Sequence, residues 1–97
     1  MREEITHEEV RQMKEVRVGR VGTYFAHPKA AAIELEDGLK VGDTIHIKGH
    51  TTDFEQEVES MQIENESVQE AKKGDSIGVK VKERVRGNDV VYKLVEE

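Results

Sequence analysis

Four cations occupy alternate positions near the C-terminus: Lys80, Lys82, Arg84 and Arg86. On a continuous strand they project from one face over about 20 Å, at ~3.3 Å per residue. Such a stripe can run along a phosphate backbone, each contact releasing a condensed counterion. Arg17 and Arg20 extend it if the first strand lies alongside. A second reading competes with the first. Glu55, Glu57 and Glu59 also stand at spacing two, and opposite charges facing each other across strands stabilise a sheet.

Tyr24, Phe25 and His27 cluster before Pro28. Exposed, they form a groove that stacks a base or captures an aromatic group; turned inward, they fill the mouth of a barrel. The histidines, His7, His27, His46 and His50, read as surface residues. His46 and His50 do not converge as they would on a helix, and no Cys accompanies them, so no zinc site is expected. The G-x-S-x-G elbow is absent, as is EF-hand spacing. The chain reads as a non-enzyme that needs neither a metal nor a cofactor.

These side chains need strands to position them. From Lys14 the apolar period is two. Val16 and Val18 share one phase, and Val21, Thr23 and Phe25 the other. Gly19 stands at the slip, the mark of a β-bulge. Pro28 ends that strand, because it cannot donate to a ladder. Ala31, Ile33 and Leu35 form the next inward set. Leu39 and Val41 plug an end, and Ile45 and Ile47 face inward with His46 and Lys48 outward. Gly42-Asp43 and Gly74-Asp75 each combine a residue that accepts positive φ with one that closes an Asx-turn, just before an alternating run. Residues 54–63 read as one long strand with a phase shift and 67–73 as a single helical turn. A fifth strand runs over 77–85 and a hairpin turn over 86–89; 90–95 returns as the sixth. Thr6-x-x-Glu9 is a capping box, flanked by Ile5 and Val10, so a short helix is expected over 7–13. The expected division is an N-terminal helix or arm, 1–14, and an all-β, six-stranded closed β-barrel, 15–97.

The 97 residues make one domain, 35% hydrophobic and 37% charged, without cysteine. Disulfides and thiolate chemistry are excluded. The net charge of −6 repels phosphate at long range, but it is unevenly placed. Residues 53–70 hold seven acids and no Lys or Arg, whereas 72–93 hold seven bases against three acids. No apolar run approaches a membrane span, and the opening Met1-Arg2-Glu3-Glu4 lacks the apolar core of a signal peptide. A soluble cytoplasmic protein that binds no membrane is expected.

Four segments carry a family resemblance. They are Val18-Gly19-Arg20-Val21, Gly38-Leu39-Lys40-Val41-Gly42-Asp43, Val58-Glu59-Ser60-Met61-Gln62 and Ala71-Lys72-Lys73-Gly74-Asp75-Ser76-Ile77-Gly78-Val79. In this order they resemble the second domain of elongation factor Tu and other translational GTPases, above all the small translation elongation factor-like proteins. The match runs over about 15–95. A similar module closes some collagenase-type peptidases as an accessory domain. The resemblance implies the six-stranded barrel and contact with structured RNA. The chain has no G-x-x-x-x-G-K-[ST] loop, so no nucleotide site is expected. The expected function is a non-catalytic, translation-associated module. It would meet RNA, the ribosome or a tRNA-related complex through Lys80, Lys82, Arg84, Arg86, Arg17 and Arg20. The alternative is a protein-interaction module that docks onto an enzyme partner through its acidic strand or N-terminal helix, without nucleic acid.

Overall fold

The computed structural model describes residues 13–96, and every regular element among them is a strand. These are β1 (Met13–Phe25), β2 (Ala30–Leu35), β3 (Leu39–Lys40), β4 (Thr44–Lys48), β5 (Asp53–Glu57), β6 (Met61–Ile63), β7 (Glu66–Val68), β8 (Glu70–Ala71), β9 (Ser76–Lys80) and β10 (Val90–Glu96). The helix expected over 7–13 lies outside the described residues, except that Met13 and Lys14 open β1.

Eight strands form one antiparallel sheet in the order β5-β4-β10-β1-β2-β9-β6-β7, and β3 pairs with β8 beside it. The inward set is the one the alternation predicts. Val18, Val21, Ala31, Ile33, Leu35, Ile45, Ile47, Ile77 and Val79 are all buried in a single cluster, with Leu39, Phe54, Val58, Met61, Val81, Val85 and Val91. One cluster fed from both ends of the sheet requires the sheet to curl around it.

The length of β1 makes this curl possible. β10 covers its first half and β2 its second, with register shifts at Arg17/Gly19 and Val21/Thr23. The first shift is the expected bulge: Val18 and Val21 both point inward although three residues apart. Glycine is required there because a Cβ on Gly19 would lie 2.4 Å from the Glu34 carbonyl oxygen. The second shift reverses the phase again, so Thr23 and Phe25, expected on the Val21 face, are exposed.

Both Gly-Asp units fold as anticipated. Gly42 (φ 100°) and Gly74 (φ 94°) take the left-handed position. Asp43 and Asp75 then accept the backbone N–H of Lys40 and Lys72, each at 2.9 Å. A third copy precedes β10. Asn88 (φ 73°) stands in the glycine's place, and buried Asp89 accepts the Arg86 N–H at 2.9 Å. All three turns deliver the chain into a strand.

Four expectations need correction. Residues 54–63 are two strands, because the chain is pinched at Val58: its N–H bonds to the Asp43 carbonyl and its carbonyl accepts the Gly42 N–H. This turns Met61–Ile63 away from β4 and onto β9. Residues 67–73 hold no helical turn. Glu64 and Asn65, both with positive φ, make a two-residue hairpin turn between β6 and β7, and β8 then pairs with β3. The fifth strand stops at Lys80, and residues 86–89 do not join it to the sixth as a hairpin. Val81 N–H bonds to the Lys29 carbonyl, and Asn88 and Asp89 bond to Val21. The segment therefore crosses the β1–β2 end and places β10 on the far side of β1, between β1 and β4.

The fourth correction concerns closure. The sheet ends at β5 and β7, and no ladder joins β5 to β9. A side chain crosses the seam instead. Gln56 Nε2 donates to the Lys80 carbonyl, and Gln56 Oε1 accepts the Lys82 N–H, both at 2.8 Å. Among the described residues the protein is all-β and curled, without a closed hydrogen-bonded barrel.

Candidate functional site

The six candidate cations do not form a stripe. β9 contributes only Lys80, and residues 81–89 are irregular, so the straight spacing of a strand is lost. Four guanidiniums are engaged within the chain. Arg17 makes a two-pronged bond with Glu36 (3.0 and 3.2 Å). Arg20 bonds Glu34 (3.0 Å) and Asn88 (3.1 Å). Arg84 lies 5.6 Å above the Tyr24 ring centroid, in cation–π contact. Arg86 donates to Thr51 at 2.9 Å. Of the six, only Lys80 and Lys82 are exposed with a side chain that makes no ion pair, cation–π contact or hydrogen bond among the described residues.

Nor do the glutamates form a ladder against this segment. Glu55 and Glu57 face His46 and Thr44 across the β4–β5 pair. Across the seam, Glu57 and Glu59 line an open cleft of about 390 Å³ opposite Lys80 and Lys82. No ion pair closes it.

Tyr24, Phe25 and His27 divide. Tyr24 packs on the core from its margin, and His27 is exposed. Phe25 is 50% exposed and walls a second cleft of about 380 Å³, with Pro28, Ala30, Gln62, Gly78 and Lys80. The cleft follows from register. Phe25, Ala30 and Lys80 form one cross-strand row on the outer face, and Ala32, Gly78 and Gln62 form the next. Small side chains at Ala30 and Gly78 leave a dish whose lining carries a single charge, that of Lys80. Of the three aromatic-cluster residues, Phe25 alone lines this cleft. Gly78 was legible in the sequence as a glycine inside an alternating strand, the mark of a position where something approaches the backbone closely.

His46 departs from the surface role expected of it. Its side chain is 12% exposed. Nδ1 lies 2.5 Å from Glu15 Oε2 and Nε2 lies 2.5 Å from Asp53 Oδ1. Only the imidazolium carries N–H on both nitrogens, so the charged form satisfies both carboxylates. The hydrogen bond that His46 donates to Asp53 holds its pKa above the ordinary value, with Glu15 assisting against partial burial. The same bond lowers that of Asp53. This is a cross-strand clamp tying β1, β4 and β5. No group of three or more His, Asp or Glu able to hold a metal occurs among the described residues. No helix among them is long and apolar enough to cross a membrane.

No family model matches the chain. It is 45% identical over 84 residues to a Methanocaldococcus jannaschii protein named as an uncharacterized protease, which covers 86% of this chain and 21% of that protein. It is 39% identical over 83 residues to a collagenase of Porphyromonas gingivalis, 84% of this chain and 20% of the relative. The chain thus spans about a fifth of the length of these relatives. In three dimensions it is similar to the C-terminal domain of a Geobacillus thermoleovorans protein described as a U32 peptidase. The TM-score is 0.75 at 21% identity, covering 81% of this chain and 91% of that domain. A selenomethionine form of that domain gives 0.74 at 19% identity. At such identity the likeness shows the fold alone.

These findings correct the resemblance to the second domain of elongation factor Tu and to translation elongation factor-like proteins. The relatives carry protease and collagenase names, and the structural neighbours are peptidase C-terminal domains. The four motifs that suggested translation are the bulge at Gly19, the two Gly-Asp turns, and the pinch at Val58 with the start of β6. They are demands of a curled sheet, which unrelated functions share. The RNA-binding expectation falls with the resemblance, and with the engagement of Arg17, Arg20, Arg84 and Arg86 inside the chain.

Proposed function

We propose that this chain is a non-catalytic accessory module that docks onto the catalytic part of a U32-type peptidase. One observation carries the reading: the chain is 45% identical to a protein named as a protease, yet corresponds to only 21% of it. The likeness to a separate C-terminal domain supports it. So does the use of ionisable groups. Asp43, Asp75 and Asp89 cap turns, and His46 is held between carboxylates, so these groups serve structure rather than proton transfer. In this reading the strands β1 to β10 form the docking unit, a barrel whose seam Gln56 completes. The site of action is the cytoplasm.

The test is titration of the 97-residue chain into the catalytic part of a U32-type peptidase from the same organism, followed by calorimetry and sedimentation. A 1:1 complex is expected, together with no hydrolysis of gelatin by the chain alone. Failure to associate at several hundred micromolar, or peptide hydrolysis by the isolated chain, overturns the reading.

A further inference from the structure

We propose that the dish over Gly78 is the docking surface, and that it receives an apolar side chain followed by a carboxylate from the peptidase's catalytic part. This rests on the accessory-module reading above.

Glycine in the middle of a strand weakens it, so it stands there for a reason. Gly78 has none among the described residues. Its φ is not positive, and a Cβ built on it would meet nothing within 4 Å. The ladder is regular on both sides, pairing Gly78 with Ala32 and with Gln62 without a bulge. Gly19 is the contrast, since there the Glu34 carbonyl fills the space a side chain would need. Among the described residues the space over Gly78 is left open, with room for an atom of a bound partner.

The surroundings name the chemistry. Beside the open floor stand Phe25, half exposed, and Ala30 and Pro28. An inserted apolar side chain would cover this surface. Exposed Phe25 otherwise leaves a large ring in water, and such anchors are where interfaces concentrate their energy. The rim supplies polarity: Gln62 on one side and the unpaired ammonium of Lys80 on the other. In a chain of net charge −6, a dish whose one charged lining residue is the cation Lys80 selects a carboxylate next to the apolar group. A two-fold pairing of this face with itself fits poorly, because it would set Lys80 against Lys80.

Gly78→Val provides the test. The β-branched residue suits a strand and has empty space to occupy, so the variant should melt at or above the wild-type temperature while filling the dish. Phe25→Ser and Lys80→Glu remove the wall and reverse the rim. Each is titrated into the same catalytic part, beside Lys72→Glu as a distant charge control. Gly78→Val and Phe25→Ser are expected to weaken binding at least tenfold. Lys80→Glu should weaken it too and remove part of its salt dependence, and the control should bind as wild type does. Wild-type binding with all variants unchanged overturns the dish and spares the accessory reading. Absence of wild-type binding overturns both. Self-association of the chain that Gly78→Val abolishes would make a second copy the occupant, and overturns the proposal.

Discussion

Gln56 Oε1 accepts the backbone N–H of Lys82 at 2.8 Å, so a side chain on the edge strand β5 stands where a neighbouring strand would otherwise close the sheet. The same carboxamide donates to the Lys80 carbonyl. A primary amide reproduces the donor and acceptor pair of a peptide unit, which is why glutamine can substitute for a rung of ladder. Each bond is worth on the order of 1 kcal/mol net. Gln56→Ala should therefore destabilise the chain by about 1–2 kcal/mol, read as a lower urea midpoint at unchanged slope. Gln56→Glu keeps the shape and the acceptor but sets a carboxylate against the Lys80 carbonyl. It should cost at least as much as the alanine variant.

The His46 clamp predicts a pH dependence with a definite sign. Asp53 and Glu15 raise the folded-state pKa of His46 above its unfolded value of about 6.5. The stabilisation is fully present below that unfolded value and is lost as pH rises through the folded one. For Asp53 the folded pKa is lowered below its ordinary 3.8 by the bond to His46. Its contribution is present above 3.8 and is lost as pH falls through the folded value. Other titratable groups face the cluster: Glu55 and the neutral phenol Tyr92 lie opposite His46 on β5 and β10, and Lys48 opposite Asp53. Urea denaturation between pH 4 and 9 should show stability falling on the alkaline side of about 6.5. His46→Gln, neutral at every pH, should flatten that limb, and NMR titration of the His46 ring should give an elevated pKa.

Two glycines in the same molecule should respond oppositely to alanine. At Gly19 the added methyl meets the Glu34 carbonyl at 2.4 Å and the Ile33 side chain at 3.3 Å. The first is backbone inside a paired strand and cannot swing away. Gly19→Ala is expected to cost about 1–3 kcal/mol, as overpacking does. At Gly78 nothing lies within 4 Å, and Gly78→Ala should be neutral or stabilising by up to about 1 kcal/mol. Thermal melts of the two proteins, side by side, check both.

What the sequence made legible follows from the physics involved. Alternation is a local signal, so Ala31, Ile33, Leu35, Ile45, Ile47, Ile77 and Val79 could be assigned to the inside before any pairing was known. Glycine at the Gly19 phase slip was equally local. Pairing is not local. Whether residues 86–89 form a hairpin or a crossover depends on the carbonyl of Lys29 and on Val21, more than fifty residues away. The break at Val58 depends on the turn at Gly42-Asp43. The site suffered most from this. Spacing two at Lys80–Arg86 implied a shared face only if the strand continued, and it ends at Lys80. The dish was invisible for the same reason: it forms where Phe25, Ala32, Gly78 and Gln62 are brought into adjacent rows by three different strand pairings.

The third turn shows how close a local reading can come, and it can be tested. Gly42-Asp43 and Gly74-Asp75 announce themselves by glycine, whereas Asn88-Asp89 performs the same manoeuvre with a non-glycine residue at φ 73°. Asparagine is the side chain best able to sit there. Its carboxamide also accepts from Arg20 at 3.1 Å, in an exposed position. If the backbone conformation matters most, Asn88→Gly should leave stability within about 0.5 kcal/mol, because glycine meets the conformational demand and only a surface hydrogen bond is lost. Asn88→Ala should cost about 1–2 kcal/mol, the penalty of a left-handed position without glycine or asparagine. Urea titration of both variants separates the two demands. Equal destabilisation by Gly and Ala would mean instead that the bond to Arg20, which ties this turn to β1, is what holds the start of β10 in place.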